Sequence, residues 1–385
     1  MRIDPARRLQ KLPPYLFAQL NAKKAELQAK GTDIIDLGVG DPDLPTPPHI
    51  VKALRAQAGN PENHCYPTYD GMPSFRQAVA GWYRQRFGVS LDPQGQVLAL
   101  MGAKDGLAHA CWALLGPGNR VLCPDPGYPV YAVQAMFAGA EPVFYPVTSE
   151  NGFLPDIDTL PTENIKAIFL CYPSNPTGAV AGLDFYRKLV EWALRHGIMI
   201  FNDGIYSEIS FDGFRPPSII QVPGALDCAM EFHSLSKTYN MTGWRIGMAV
   251  GNREMLSALL KVKTNTDSGV FQAVQYAGIA ALTGSQQCVA DNCRIYQERR
   301  DILARGLSRM GLKFHLPQAS FYLWFQTPRS MDSIEFADLL LERGGVMVVP
   351  GVGFGRNGEG YARAALTVPS ERMAEAVDRI SEISL

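Results

Sequence analysis

Lys237 closes the run Ser234-Leu235-Ser236-Lys237, with Asn175, Asp203 and Tyr206 upstream of it and Arg245 just downstream. An amine can condense with an aldehyde, a carboxylate can keep a proton on a ring nitrogen, and hydroxyls with a guanidinium fork can hold a phosphate. Pyridoxal phosphate carries all of these partners in one molecule. Lys237 suits its aldehyde, Asp203 its pyridine nitrogen, Tyr206 and Asn175 its phenolic oxygen, and Ser234, Ser236 and Arg245 its phosphate. Each residue alone has a plainer reading. Most lysines are solvated, Asp203-Gly204 is a common turn pair, and Asn175-Pro176-Thr177-Gly178 is ordinary turn sequence. The set in this order outweighs those readings.

Two further segments join it. Gly102-Ala103-Lys104 follows an apolar run and opens a helical pattern over 105–115, so its backbone amides can face a phosphate with the helix dipole behind them. Tyr128, in Pro126-Gly127-Tyr128-Pro129, can lie over the face of a ring, although an aromatic after such a turn often only packs.

These residues need a scaffold that collects them, and the chain supplies one. Apolar, β-rich runs at 97–100, 120–123, 142–145, 167–171, 198–202, 229–233 and 246–250 lack polar alternation, as strands of a sheet covered on both faces do. Helical patterns lie between them, which predicts an α/β fold with a mostly parallel seven-stranded sheet between helices. The candidate residues fall at the carboxyl ends of these strands, where such a fold binds its ligands. After Gly284 the pattern changes to a long charged helix (about 285–310), a strand (321–326), a helix (333–343), two short strands and a last helix from Ser370. This predicts a large unit over 46–284 and a smaller α+β unit built from 1–45 and 285–385.

With 385 residues, 46% hydrophobic and 19% charged, the chain can bury an extensive core. Its formal net charge of -1 gives no electrostatic reason to expect nucleic acid or an anionic membrane as partner. The seven cysteines are odd in number, scattered and never at metal-ligand spacing, so neither a disulfide framework nor a metal site is expected. The first residues lack the apolar stretch of a secretory signal, and no segment reaches the length of a membrane span. The expectation is a soluble, cytoplasmic protein that works on small metabolites.

The chain resembles fold-type I pyridoxal-phosphate enzymes of the class I and II aminotransferase family from about residue 13 to the last helix. The likeness rests on Asp36-Leu37-Gly38-Val39-Gly40-Asp41-Pro42-Asp43, Tyr66 with Gly71-Met72-Pro73, Asn175-Pro176-Thr177-Gly178, Asp203 with Tyr206, Ser234-Leu235-Ser236-Lys237, Arg245, and Tyr361-Ala362-Arg363. It implies that Lys237 carries the cofactor and shuttles the proton, with Asp203, Asn175 and Tyr206 on its ring and Ala103, Lys104, Ser234, Ser236 and Arg245 on its phosphate. It further implies that Tyr66 reaches the phosphate across a subunit boundary, hence a homodimer, and that Arg363 clamps the substrate α-carboxylate. The reaction implied is exchange of an amino group between an amino acid and a 2-oxo acid by a two-stage, ping-pong course.

Within that family the segments 12–17, 38–43 and 102–104 are most similar to LL-diaminopimelate aminotransferases, which implies Tyr15, Gly40, Lys104, Tyr128, Asn175 and Arg363 as substrate contacts and a place in lysine biosynthesis. The segment 265–270 does not supply the asparagine that the better-known branch sets near its substrate. Aspartate, alanine and aromatic transaminases share the same core, and a carbon-sulfur β-lyase uses the same scaffold; a regulatory module would need a basic DNA-binding domain for which the charge balance gives no sign.

Overall fold

A computed structural model describes residues 4–10, 12 and 16–383. Its strands are β1 (Ile35–Asp36), β2 (Val97–Leu100), β3 (Arg120–Asp125), β4 (Glu141–Pro146), β5 (Ile165–Leu170), β6 (Met199–Asp203), β7 (Ala229–Ser234), β8 (Gly247–Gly251), β9 (Tyr322–Gln326), β10 (Val346–Met347), β11 (Val349–Pro350) and β12 (Tyr361–Ala365). Seven of them form one sheet in the order β2-β8-β7-β6-β5-β3-β4. Only β8 runs against its two neighbours. The other six strands therefore end at one edge, and Asp125, Asp203 and Ser234 are carried to it as last residues of β3, β6 and β7.

Alternate residues of the strands other than the edge strand β4 face opposite apolar layers, both buried. Val97 and Ala99 of β2 pack on one side and Leu98 and Leu100 on the other, and β5 divides Ile168 and Leu170 from Ala167 and Phe169 in the same way. The helices Pro73–Phe87 and Gln272–Thr283 pack together, as do Ala103–Leu114 and Arg253–Thr266. The strands fall within three residues of the expected ones. The 3-stranded sheet β11-β12-β9 and the 2-stranded pair β1-β10 lie outside the main sheet. One difference is that the segment after 343 holds three short strands rather than two, because the chain pairs β10 back onto the amino-terminal β1 before β11 and β12 form their own sheet.

That parallel pairing of Ile35 with Val346 joins the two ends of the chain. Arg372 and Arg379 of the last helix reach Asp33, and Lys23 bridges to Asp338 and Glu342. Among the described residues no helix is long and apolar enough to cross a membrane.

Candidate active site

At the carboxyl edge of the sheet lies a cavity of about 430 Å³, and Gly40, Ala103, Lys104, Tyr128, Asn175, Asp203, Tyr206, Ser234, Ser236, Lys237, Arg245 and Arg363 all line it. The sequence separates these residues by up to 323 positions; the strand ends bring them together. Tyr15 lies outside the described residues. Tyr66 does not reach this cavity within the chain and is 86% exposed.

Lys237 is placed by the one-turn helix Leu235–Thr238 that Ser234 caps by accepting from the Ser236 N–H. Its half-buried ammonium donates to the Gly40 carbonyl at 2.8 Å. Burial pulls its pKa down to about 8, with Arg245 and Arg363 pushing the same way and Asp41 opposing. Asp203 is buried at the end of β6. Its Oδ2 accepts from Tyr131 Oη at 2.7 Å, whereas its Oδ1 is buried without a partner. Burial pushes its carboxyl up to about 6 against the hydrogen bonds from Tyr131 and the Ile205 amide and the nearby His233. Tyr131 is fixed by a parallel stack on Phe169 at 4.9 Å and an edge contact to Tyr128 at 5.5 Å.

Arg363 comes from the middle strand of the small sheet. One guanidinium nitrogen donates to Asn175 Oδ1 at 2.6 Å and another to the Gly38 carbonyl at 2.7 Å. The plane rests against the rings of Tyr322, at 4.1 Å, and Phe354, at 4.7 Å. Its Nε is buried with no acceptor. Asn175 turns its oxygen to Arg363, so its –NH₂ end is the one that can donate to a ligand oxygen.

Another part of the cavity lining suits an anion. The helix begins at Ala103, two residues earlier than its sequence pattern suggests, so the amides of Ala103 and Lys104 belong to the first turn and have no carbonyl four residues behind them. Gly102 enters it at φ +93°, and a Cβ there would collide with the Arg245 guanidinium. Arg245 itself is held by the Thr242 carbonyl at 2.8 Å, and the buried Ser236 hydroxyl has no partner.

These features fit pyridoxal phosphate. A free carboxylate oxygen awaits a protonated ring nitrogen, an amine of lowered pKa awaits an aldehyde, and first-turn amides, a serine hydroxyl and a guanidinium await a phosphate. Tyr131, Tyr322 and Phe354 are site residues that sequence reasoning missed. A tyrosine one helical turn after Tyr128 was the only available signal for Tyr131; Tyr322 lies in an apolar run that reads as core, and Phe354 in a glycine-rich segment that reads as a loop. Elsewhere, Asp105, His109 and Asp267 come within 4.8 Å of one another. Fully buried Lys263 bonds both oxygens of Asp267, giving that trio a cation from the chain itself.

Residues 32–380 match the family described as aminotransferase class I and II. The chain is 53% identical to an LL-diaminopimelate aminotransferase of Syntrophobacter fumaroxidans, with 100% of each covered, and 51% identical to one of Moorella thermoacetica, with 99% of this chain and 98% of that protein covered. Among solved structures it is similar to apo-BacF from Bacillus subtilis, with a TM-score of 0.96, 38% identity, and coverage of 100% of this chain and 99% of that one.

Proposed function

The chain belongs to the class I and II aminotransferase family, whose cofactor is pyridoxal phosphate, and from that premise we propose that it transfers the amino group of LL-diaminopimelate to 2-oxoglutarate in lysine biosynthesis. One observation carries the reaction class: an amine of lowered pKa, a carboxylate oxygen without a partner and a stacked guanidinium converge on a single cavity. The substrate is taken from full-length relatives that share about half of its residues.

When bound, the cofactor supplies an electron sink that lets the bond between an amino acid's α-carbon and its hydrogen ionise. The chain's residues do the rest. Asp203 Oδ1 holds a proton on the ring nitrogen, with Tyr131 fixing the other oxygen so that the carboxylate cannot turn away. Tyr206 and the –NH₂ of Asn175 donate to the phenolic oxygen. Ala103, Lys104, Ser234, Ser236 and Arg245 would hold the phosphate, and Tyr128 would pack against the ring. Arg363, already desolvated and oriented, takes the substrate carboxylate by two parallel hydrogen bonds, and Gly40 and Lys104 serve as further substrate contacts. Lys237 Nζ would then take the α-proton and give it back two atoms along, at what had been the cofactor's aldehyde carbon. A base whose pKa lies near 8 can do both at neutral pH.

The proposal extends to the assembly. His64 and Phe271 are in ring contact at 6.0 Å, Gly269 packs on Pro67 and Thr68, and Tyr66, Tyr69, Trp112 and Phe271 expose broad apolar surface on these neighbouring segments. This supports a homodimer in which Tyr66 completes the partner's phosphate site. A cytoplasmic enzyme with a large unit at 46–284 and a smaller one from 1–45 and 285–385 fits the same reading.

The test is visible absorbance of the purified, cofactor-loaded protein while single amino acids are added. LL-diaminopimelate should abolish the aldehyde-form band and 2-oxoglutarate should restore it. Brisk loss of the band with aspartate, alanine or phenylalanine and none with diaminopimelate would sink the substrate assignment; pyruvate release from cystathionine without an acceptor would point to the lyase.

A further inference from the structure

Tyr322, the first residue of β9, touches three working groups of the cavity. Its hydroxyl lies 3.2 Å from that of Tyr206. Its ring carries the Arg363 guanidinium 4.1 Å from the centroid. The same hydroxyl occupies the space that a Cβ on Gly40 would need, so the residue whose carbonyl receives the Lys237 ammonium has to be glycine. Neighbouring rings fix the side chain, with Phe321 at 5.0 Å and Tyr206 at 5.5 Å, both edge-on.

Direction in the hydroxyl pair follows from counting protons. A phenol has one O–H and two lone pairs. Both residues are buried, and burial holds Tyr206 in its neutral form. If Tyr206 spends its proton on the cofactor's phenolic oxygen, only Tyr322 can donate in the 3.2 Å contact. A donor that is itself a hydrogen-bond acceptor is polarised and donates more strongly.

Resting on the aminotransferase reading, we propose that Tyr322 is a positioning residue: its hydroxyl donates to Tyr206 and its ring supports Arg363, so one side chain sets both the phenolic-oxygen contact and the carboxylate clamp. The hydroxyl acts on the cofactor's acid-base behaviour, and the ring acts on substrate binding. These two effects are separable by substitution.

Cofactor-loaded variants titrated by visible absorbance test the hydroxyl. Y322F keeps the ring and removes the donor. The pH midpoint of the cofactor band should move upward by roughly half a unit, because weaker donation from Tyr206 leaves more charge on the phenolic oxygen to retain the neighbouring proton. Y206F should shift it further, and Y206F/Y322F should match Y206F, since the relay has lost its middle member. Steady-state kinetics tests the ring: Y322L should raise the donor KM about tenfold or more, whereas Y322F should hold it within about threefold. Should Y322L fail to fold by circular dichroism, Y322M, which keeps bulk without an aromatic face, carries the same expectation. An unchanged midpoint in Y322F, or a double variant shifted beyond Y206F, overturns the relay; a wild-type KM in the ring-less variants overturns the support of Arg363. Failure of the wild-type protein to show a cofactor band would instead fail the aminotransferase reading itself.

Discussion

Asp203 sets binding against stability within one residue. Its carboxyl is raised to about 6 in the folded chain by burial, from an unfolded value near 3.9. The folded state therefore holds the proton more tightly, so stability falls as pH rises from about 4 to 6 and the whole penalty is present above 6. D203N cannot ionise but keeps an oxygen for the Tyr131 hydroxyl. Urea denaturation of cofactor-free protein should find D203N more stable than wild type by on the order of 2 kcal/mol at pH 7, with the difference vanishing toward pH 4, while turnover of the loaded variant drops by at least ~100-fold. A variant no more stable at pH 7 would mean that Asp203 is satisfied without a ligand. Lys237 gives a second pH test. With its pKa near 8, the neutral fraction falls tenfold per pH unit below that point. Stopped-flow capture of pyridoxal phosphate by cofactor-free protein should climb to a plateau above about pH 8, and a rise continuing toward 10 would show an ordinary solvated lysine. Both residues were legible in the sequence because the ordered set they belong to outweighs the plain reading each has alone. Tyr131 and Tyr322 were not, because a tyrosine in an apolar run gives no sign of which way its hydroxyl faces.

Among the elements, the turn from β2 into the helix Ala103–Leu114 does the most to shape the anion end of the cavity. Gly102 stands at φ +93°, where an L side chain is strained, and its missing Cβ is the space that Arg245 fills. Arg245 also has positive φ, at 54°, so two unusual backbone conformations meet across the phosphate position. G102A should cost roughly 1–2 kcal/mol of stability from backbone strain alone and, by displacing the guanidinium, weaken pyridoxal phosphate binding by about tenfold or more. Melting curves and a fluorescence titration of the cofactor measure the two effects. Full cofactor affinity in a destabilised G102A would show that Arg245 does not need the approach the glycine permits. The helix itself was readable from its 3.6-residue pattern, but its first turn was not, since Ala103 and Lys104 carry no capping side chain and the N-cap is a glycine. Strands were readable because a sheet buried on both faces is built largely of apolar residues, with Asn202, Glu231 and His233 as buried exceptions. The pairing of β1 with β10 escaped detection, since two-residue strands leave no period in a sequence.

Across the whole molecule, the proposed homodimer would add to the cavity a contact from Tyr66, which does not line it within one chain. Tyr66 follows the turn Pro61–His64 and points its 86% exposed ring away from its own core. It is tied to the segment around Gly269 and Gln272, whose amide reaches the Cys65 carbonyl at 3.4 Å, and Trp112 and Phe271 lie exposed on the same neighbouring elements at 45% and 42%. Large aromatic side chains seldom stay in water in such number on adjoining segments unless another surface covers them. A second copy is the partner that symmetry favours, and it would bring the other Tyr66 to this chain's phosphate end. Hybrid dimers decide the matter. K237A has no amine and should be inactive; Y66R, by placing a bulky cation at the partner's phosphate end, should bind cofactor poorly. Neither homodimer should turn over substrate at more than about a hundredth of the wild-type rate. When the two are unfolded together and refolded, each hybrid contains one site with Lys237 from the Y66R subunit and Tyr66 from the K237A subunit, so activity should return to a fraction of wild type. If mixing restores nothing while co-purification of two differently tagged variants shows that hybrids form, Tyr66 serves its own subunit and each chain's site is complete within itself.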